Sequence, residues 1–351
     1  MNERRLTKTA QAYLGKSKVE RIEFCKNDQW IGYKAAMTLV ELLDDKFHEP
    51  AQIRHEGLLI YADYNNGKTA ILKKFYDLHK AKLDKINEEG ERVYEIPIIY
   101  LQAPTIPDEG RLYSLILDEL CVPHKTTEKV MEKARLVKHY LGKLNTKMIL
   151  IDEIHSALTG NLNKQRTFID DLKQLSNKLS LSIILAGTRD AHSALSISGE
   201  TASRFPSIEL PRWSNDKKFR SFVATYETCL PLKEASNMVH DQQILDALYN
   251  QSEGLIGRTV NLIKKAAVKD CHRLMVEGLG IEVEHPDHSC SVALTGKPLQ
   301  VSCKSDTVAG HIDNPLGFEG SNQRWYALIQ PGTGWVDNHR IDFDADRKSV
   351  V

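Results

Sequence analysis

Ala62-Asp63-Tyr64-Asn65-Asn66-Gly67-Lys68-Thr69 is the stretch on which the reading of this chain turns. It follows an apolar run, Gly57-Leu58-Leu59-Ile60-Tyr61, and precedes a helical pattern with Ile71, Leu72 and Phe75 on one face. Strand, turn, Gly-Lys-Thr and helix together form the setting of a phosphate-binding loop. Backbone N–H groups in such a turn curl around phosphates, and the helix N-terminus adds partial positive charge. Asn65, Asn66, Gly67, Lys68, Thr69 and Ala70 are therefore expected to cradle a nucleoside triphosphate. Lys68 would reach the β- and γ-phosphates, and the Thr69 hydroxyl would hold Mg²⁺. The pattern's first glycine is Ala62 here. Its extra methyl is tolerable where φ is negative, so the expectation is at most a weakened nucleotide affinity.

Working downstream, a second buried strand, Ile96 to Leu101, precedes a turn cluster, Pro104 to Glu109, that caps a helix carrying Leu112, Leu115 and Ile116. A basic helix is expected over Glu128 to Leu144. The third strand, Met148-Ile149-Leu150-Ile151, runs directly into Asp152-Glu153. Four apolar residues ending in two acids make the second half of a nucleotide site. Asp152 would hold the metal's hydration shell, and Glu153 would polarise the attacking water. A fourth strand, Ser182 to Ala186, ends in Gly187-Thr188-Arg189, where Thr188 is placed to orient that water. A short fifth strand, Ser207 to Leu210, is stopped by Pro211. Five buried strands separated by helices imply an α/β fold, a five-stranded parallel sheet covered on both faces, with ligands at the strands' carboxyl ends.

Upstream, Met1 to Arg21 carries six cations and little apolar periodicity, and is expected to be a mobile basic arm. A helix pattern from about Asp28 to Pro50 opens with Trp30-Ile31-Gly32-Tyr33, and Trp30 is a candidate to pack on an adenine face. Ile71 to Asn87 reads as one long lysine-rich helix. The nucleotide-binding domain then runs from Ile22 to Trp213, and a helical lid from Ser214 to Gly280, with Arg258 opening its last long helix after Gly254-Leu255-Ile256-Gly257. Ile281 to Val351 is a tail of unknown structure, in which His285, His288, Cys290 and Cys303 match no zinc-ligand spacing.

Composition sets outer limits. With 47 basic and 47 acidic residues the formal charge is zero, which excludes a uniformly basic nucleic-acid coat and leaves only a local stripe. The six cysteines form no Cys-x-x-Cys pair, no secretory leader is evident, and no run reaches membrane-span length. The expectation is a cytoplasmic, bacterial protein with free thiols and no membrane partner.

The order of phosphate loop, Asp-Glu strand, polar strand tip, Ser203-Arg204 and helical lid with Gly257-Arg258 is that of AAA+ ATPases. More narrowly, Asn27 to Tyr33, Tyr64 to Thr69, Pro104 to Arg111, Ile151 to His155 and Ala186 to Ala191 resemble the TniB/TnsC family of transposon-encoded AAA+ regulators. The likeness spans roughly Arg21 to Gly280. It implies ATP and Mg²⁺ as cofactors, Thr188 as first sensor, Arg204 as the arginine finger offered to a neighbouring subunit, and Arg258 as second sensor. It also implies a ring or helical filament on double-stranded target DNA that hands the target to a DDE transposase, often with a TniQ-type adaptor. Arg111, Lys125, Lys129, Lys133 and Arg135 are the cations placed where a DNA-facing element could lie. Two other readings stay open: a nucleotide-gated DNA-coating scaffold with vestigial turnover, and a helicase loader or replication initiator.

Overall fold

A computed structural model gives the structure; it describes residues 6–50, 52, 54–80, 82–86, 92–233, 236 and 238–269. The chain divides into two units, Met1–Leu279 and Gly280–Val351, and every described residue belongs to the first. The tail with His285, His288, Cys290 and Cys303 lies outside the described residues.

The centre is a five-stranded, wholly parallel sheet. Its strands are β1 (Leu58–Tyr61), β4 (Ile98–Gln102), β5 (Met148–Asp152), β6 (Ser182–Gly187) and β7 (Ser207–Glu209), in the spatial order β4-β5-β6-β1-β7. Alternation along each strand sorts side chains to two faces. Leu59, Ile99, Ile149, Ile151, Ile183 and Leu185 join one core with helices α5 (Glu109–Glu119), α6 (Val130–Lys143) and α7 (Leu162–Leu179). Leu58, Ile60, Ile98, Met148, Leu150 and Ile184 join the other with α3 (Lys34–His48) and α4 (Lys68–His79). Burial on both faces is why these strands read as continuous apolar runs.

Two expectations about local structure are corrected. The lysine-rich helix after the phosphate turn stops at His79, and the chain instead forms an antiparallel hairpin of β2 (Lys82–Ile86) and β3 (Arg92–Glu95). Met1 to Arg21 is not a free arm over its described part. It forms α1 (Lys8–Leu14), capped by Thr7, and enters α2 (Lys18–Lys26), closed by a reciprocal Ser17–Glu20 capping box. These helices are too short to show a clear period, yet they bury Ala10, Phe24 and Cys25.

They dock on the lid, whose helices are α10 (Lys217–Thr228), α11 (Gln242–Ser252) and α12 (Ile256–Lys269). Thr7 N–H donates to Thr228 O, the buried Arg21 Nη1 to Pro231 O, and Lys264 Nζ to Lys26 O at 3.1 Å while pairing with Asp28. The chain thus crosses between lid and sheet twice, at 27–33 and at 211–216. The two crossings touch where Tyr33 meets Trp213 edge-on, ring centroids 5.0 Å apart. Among the described residues no helix is long and apolar enough to cross a membrane.

Candidate nucleotide site

The register brings the site together. Tyr61 pairs with Gly187 and Ile151 with Leu185, so the segments after β1, β6 and β5 emerge side by side, with Gln102 of β4 opposite Asp152. After β1 the turn bends through two left-handed residues, Asn65 at φ 57° and Gly67 at φ 90°. Asparagine tolerates that region and glycine has no penalty there. Gly67 is the N-cap of α4, so the free N–H groups of its first turn face the bend. Ala62 is buried, is not among the positive-φ residues, and donates its N–H to Gly187 O at 3.1 Å. The alanine therefore fits where the pattern has glycine.

Three of the expected residues meet at one carboxylate. Asp152, fully buried at the end of β5, accepts from Thr69 Oγ1 on Oδ2 at 2.6 Å and from Glu153 N–H on Oδ1 at 2.8 Å. Tyr100, which the sequence reading did not single out, also donates to Oδ2, at 2.9 Å. Burial and the Asp152 charge push the Tyr100 phenol well above its ordinary range, so it remains a donor. Glu153 itself adopts φ 56°, ψ 36°, a left-handed backbone held at the strand exit that turns the chain sharply. Its Oε2 lies 3.2 Å from His155 Nδ1 without the alignment of a hydrogen bond.

Lys68 is buried, and its Nζ donates to Ala62 O at 3.1 Å and Asp63 O at 2.9 Å, leaving one donor over. Burial lowers its pKa, and Glu153, Asp152 and Asp63 oppose that shift. Thr188 caps α8 (Arg189–Ser196), and its buried Oγ1 has no protein partner; neither does Oδ1 of Asn66, whose amide donates to Leu210 O and Pro211 O. Orphaned buried polar atoms beside a phosphate-type turn are what a polar ligand would complete. The residues present thus fit a triphosphate with a divalent ion: Asn65 to Ala70 around the phosphates, Thr69 and Asp152 at the metal.

Trp30 and Arg258 make other contacts within this chain. Trp30 packs against the α3–α4 core, and the aromatic at the turn is Tyr33, whose OH lies 3.6 Å from where a Cβ on Gly67 would stand. That hydroxyl is buried and unpartnered, and burial pushes its pKa up to about 12. Arg258 is half-exposed and paired with Glu253 at 2.8 Å. It ends a chain of ion pairs that the sequence did not reveal, running Glu209–Arg189–Asp63–Arg212–Glu253–Arg258. The guanidinium of Arg212, then that of Arg189, holds the Asp63 carboxyl below the usual range.

Arg204 is not brought to this cluster. It ends α9 (Gly199–Arg204) at the opposite end of the sheet, where its carbonyl accepts from Gly57 N–H before β1 begins. The residue is 3% exposed, and its guanidinium Nη2 donates to Ser176 Oγ at 3.1 Å and to Asn177 Oδ1. Within this chain Arg204, expected as a finger for a neighbouring subunit, is buried, with its Nη1 left unpartnered. Exposed Arg54 is near enough to oppose its charge. Lys133, one of the cations considered for DNA, is likewise buried on Ser114 Oγ and Thr126 O.

Comparison with solved structures agrees with this architecture. The ORC2 protein of Aeropyrum pernix, solved as ADPNP–ADP complexes, is similar at a TM-score of 0.50 and 15% identity, over 74% of this chain and 68% of that one. Cdc6p from Pyrobaculum aerophilum is similar at 0.50 and 15%, over 70% and 65%. Identity this low speaks for the fold alone, which is the AAA+ arrangement of parallel sheet and helical lid. No curated protein matches the sequence. The family model described as "Bacterial TniB protein" matches residues 21–215, more than half of the 351-residue chain and all of the site except Arg258; with the phosphate turn, the Asp152–Glu153 strand end and the AAA+ fold in agreement, the chain belongs to the TniB family.

Proposed function

We propose that this protein is an ATP-dependent regulator of DNA transposition that assembles on double-stranded target DNA, hydrolyses ATP and recruits or activates a DDE transposase, with a TniQ-type adaptor as a further partner. The observation that carries the ATPase part is the convergence of Thr69, Asp152, Glu153 and the unpartnered Thr188 hydroxyl at adjoining strand ends. Lys68 and the turn's N–H groups bind and orient the triphosphate. Mg²⁺, when bound, would neutralise charge between the β- and γ-phosphates. Glu153 takes the proton of the attacking water, and Thr188 fixes that water's position.

The transposition part is supported by family membership, and a filament fits the zero net charge because a few cations per protomer sum along DNA. Arg111, Lys125, Lys129 and Arg135 remain the candidate contacts. An arginine supplied by a neighbour would couple turnover to assembly. For Arg204 this requires exchanging Ser176 and Asn177 for a neighbour's phosphate, so Arg54, already exposed beside it, is the second candidate. Glu153→Gln should bind ATP normally and lower hydrolysis at least 100-fold while trapping the protein on duplex DNA. If transposition and DNA release proceed unchanged when hydrolysis has stopped, the regulator works as a scaffold and turnover is vestigial. Persistence as a monomer with ATP and duplex DNA, seen by electron microscopy, would refute assembly. Capture of a replicative helicase in place of a transposase would favour the loader reading.

A further inference from the structure

We infer that Tyr100 is a positioning residue for the metal: its hydroxyl fixes Asp152 so that Thr69 presents its lone pairs to the divalent ion. The inference rests on the nucleotide-site reading above and adds a residue to it.

The geometry starts from strand register. Tyr100 on β4 lies directly opposite Leu150 on β5, and both side chains face the α3–α4 core. Asp152 is two residues further along β5, on the same face. It is thus the diagonal neighbour of Tyr100, a separation only a long side chain can span. The phenol spans it, while its ring is held beside Tyr76 of α4, centroids 6.2 Å apart.

The lone-pair count then becomes decisive. A carboxylate oxygen offers two acceptor positions. Both on Oδ2 are occupied, by Thr69 Oγ1 at 2.6 Å and Tyr100 OH at 2.9 Å, while Oδ1 accepts one bond from Glu153 N–H. The single hydrogen of Thr69 is therefore spent on Asp152, leaving only lone pairs for a metal. Asp152 keeps one free position, on Oδ1, suited to a metal-bound water. Remove the phenolic donor and Oδ2 loses the bond that distinguishes it from Oδ1. The carboxylate then keeps one bond on each oxygen, from Thr69 and from Glu153 N–H, so its orientation is held less firmly, and that of Thr69 with it. Tyr100 acts through Asp152, to which its hydroxyl donates.

The test uses the full chain and a fluorescent ATP analogue titrated across Mg²⁺ concentrations and in EDTA. Tyr100→Phe keeps the ring and removes only the donor. The Mg²⁺ concentration for half-maximal nucleotide binding should rise about tenfold, the effect of one hydrogen bond to a charged group. Affinity in EDTA and the melting temperature should stay near the parent's. Thr69→Ala should show a similar metal defect, and the double variant one no larger than Thr69→Ala alone, because the two act in series. Parent-like Mg²⁺ dependence in Tyr100→Phe, or a parallel fall of affinity in EDTA, overturns the positioning role and leaves the nucleotide site standing. A parent that binds no nucleotide at any Mg²⁺ concentration overturns both.

Discussion

Asp152 is wholly buried and yet holds three donors from three different segments, Thr69, Tyr100 and Glu153. Asp171 on α7 is the opposite case. Burial, then the charges of Glu109 and Asp170, raise its pKa from 3.8 to about 6, with Lys178 opposing. The folded state therefore holds a proton that the unfolded chain has released between pH 4 and 6, and stability falls as pH rises through that window. Asp171→Asn removes the dependence. It should be more stable than the parent by about 1 kcal/mol at pH 8, after allowing for solvent screening, and equal to it near pH 4; paired thermal melts at the two pH values check this. At this scale the sequence was legible where chemistry follows chain order. Thr69, Asp152 and Glu153 stand at the ends of recognisable segments, whereas Tyr100, Arg189 and Arg212 owe their roles to partners on other strands and loops. That pairing depends on sheet register and loop path, which local patterns do not encode.

Two glycines make contrasting predictions about the helices that contain them. Gly257, in the first turn of α12, donates its N–H to Asn65 O at 2.8 Å, and a Cβ there would stand 2.7 Å from that same oxygen. Gly257→Ala must push the lid helix off the phosphate turn. It should lower stability by about 1–3 kcal/mol, and weaken nucleotide binding measured by titration. Gly142, exposed near the end of α6, has nothing within 4 Å of a built Cβ. Gly142→Ala should stabilise the protein by about 0.5 kcal/mol through backbone entropy alone, read as a shift in the denaturant midpoint. The five sheet strands and most helices were legible because burial on both faces writes long apolar runs. The β2–β3 hairpin was not. Its charged residues suit a helix surface equally well, and the apolar face of α4 gives no mark of where the helix must stop.

The lid and the N-terminal helices behave as one packed body in the whole molecule, which the sequence concealed behind a basic, weakly periodic opening. Arg21 is its largest fully buried side chain, and it donates to Pro231 O at 3.2 Å. Arg21→Ala should cost about 2 kcal/mol, combining the lost packing with the lost charged hydrogen bond, and a urea titration would measure it. A body attached by one covalent crossing can turn in any sense, but this one is attached by two, at 27–33 and 211–216. Two crossings that meet at Tyr33 and Trp213 leave it fewer ways to turn against the sheet than one crossing would. The Gly257–Asn65 hydrogen bond fastens that body to the turn after β1, so any displacement of α12 away from the sheet must break it first.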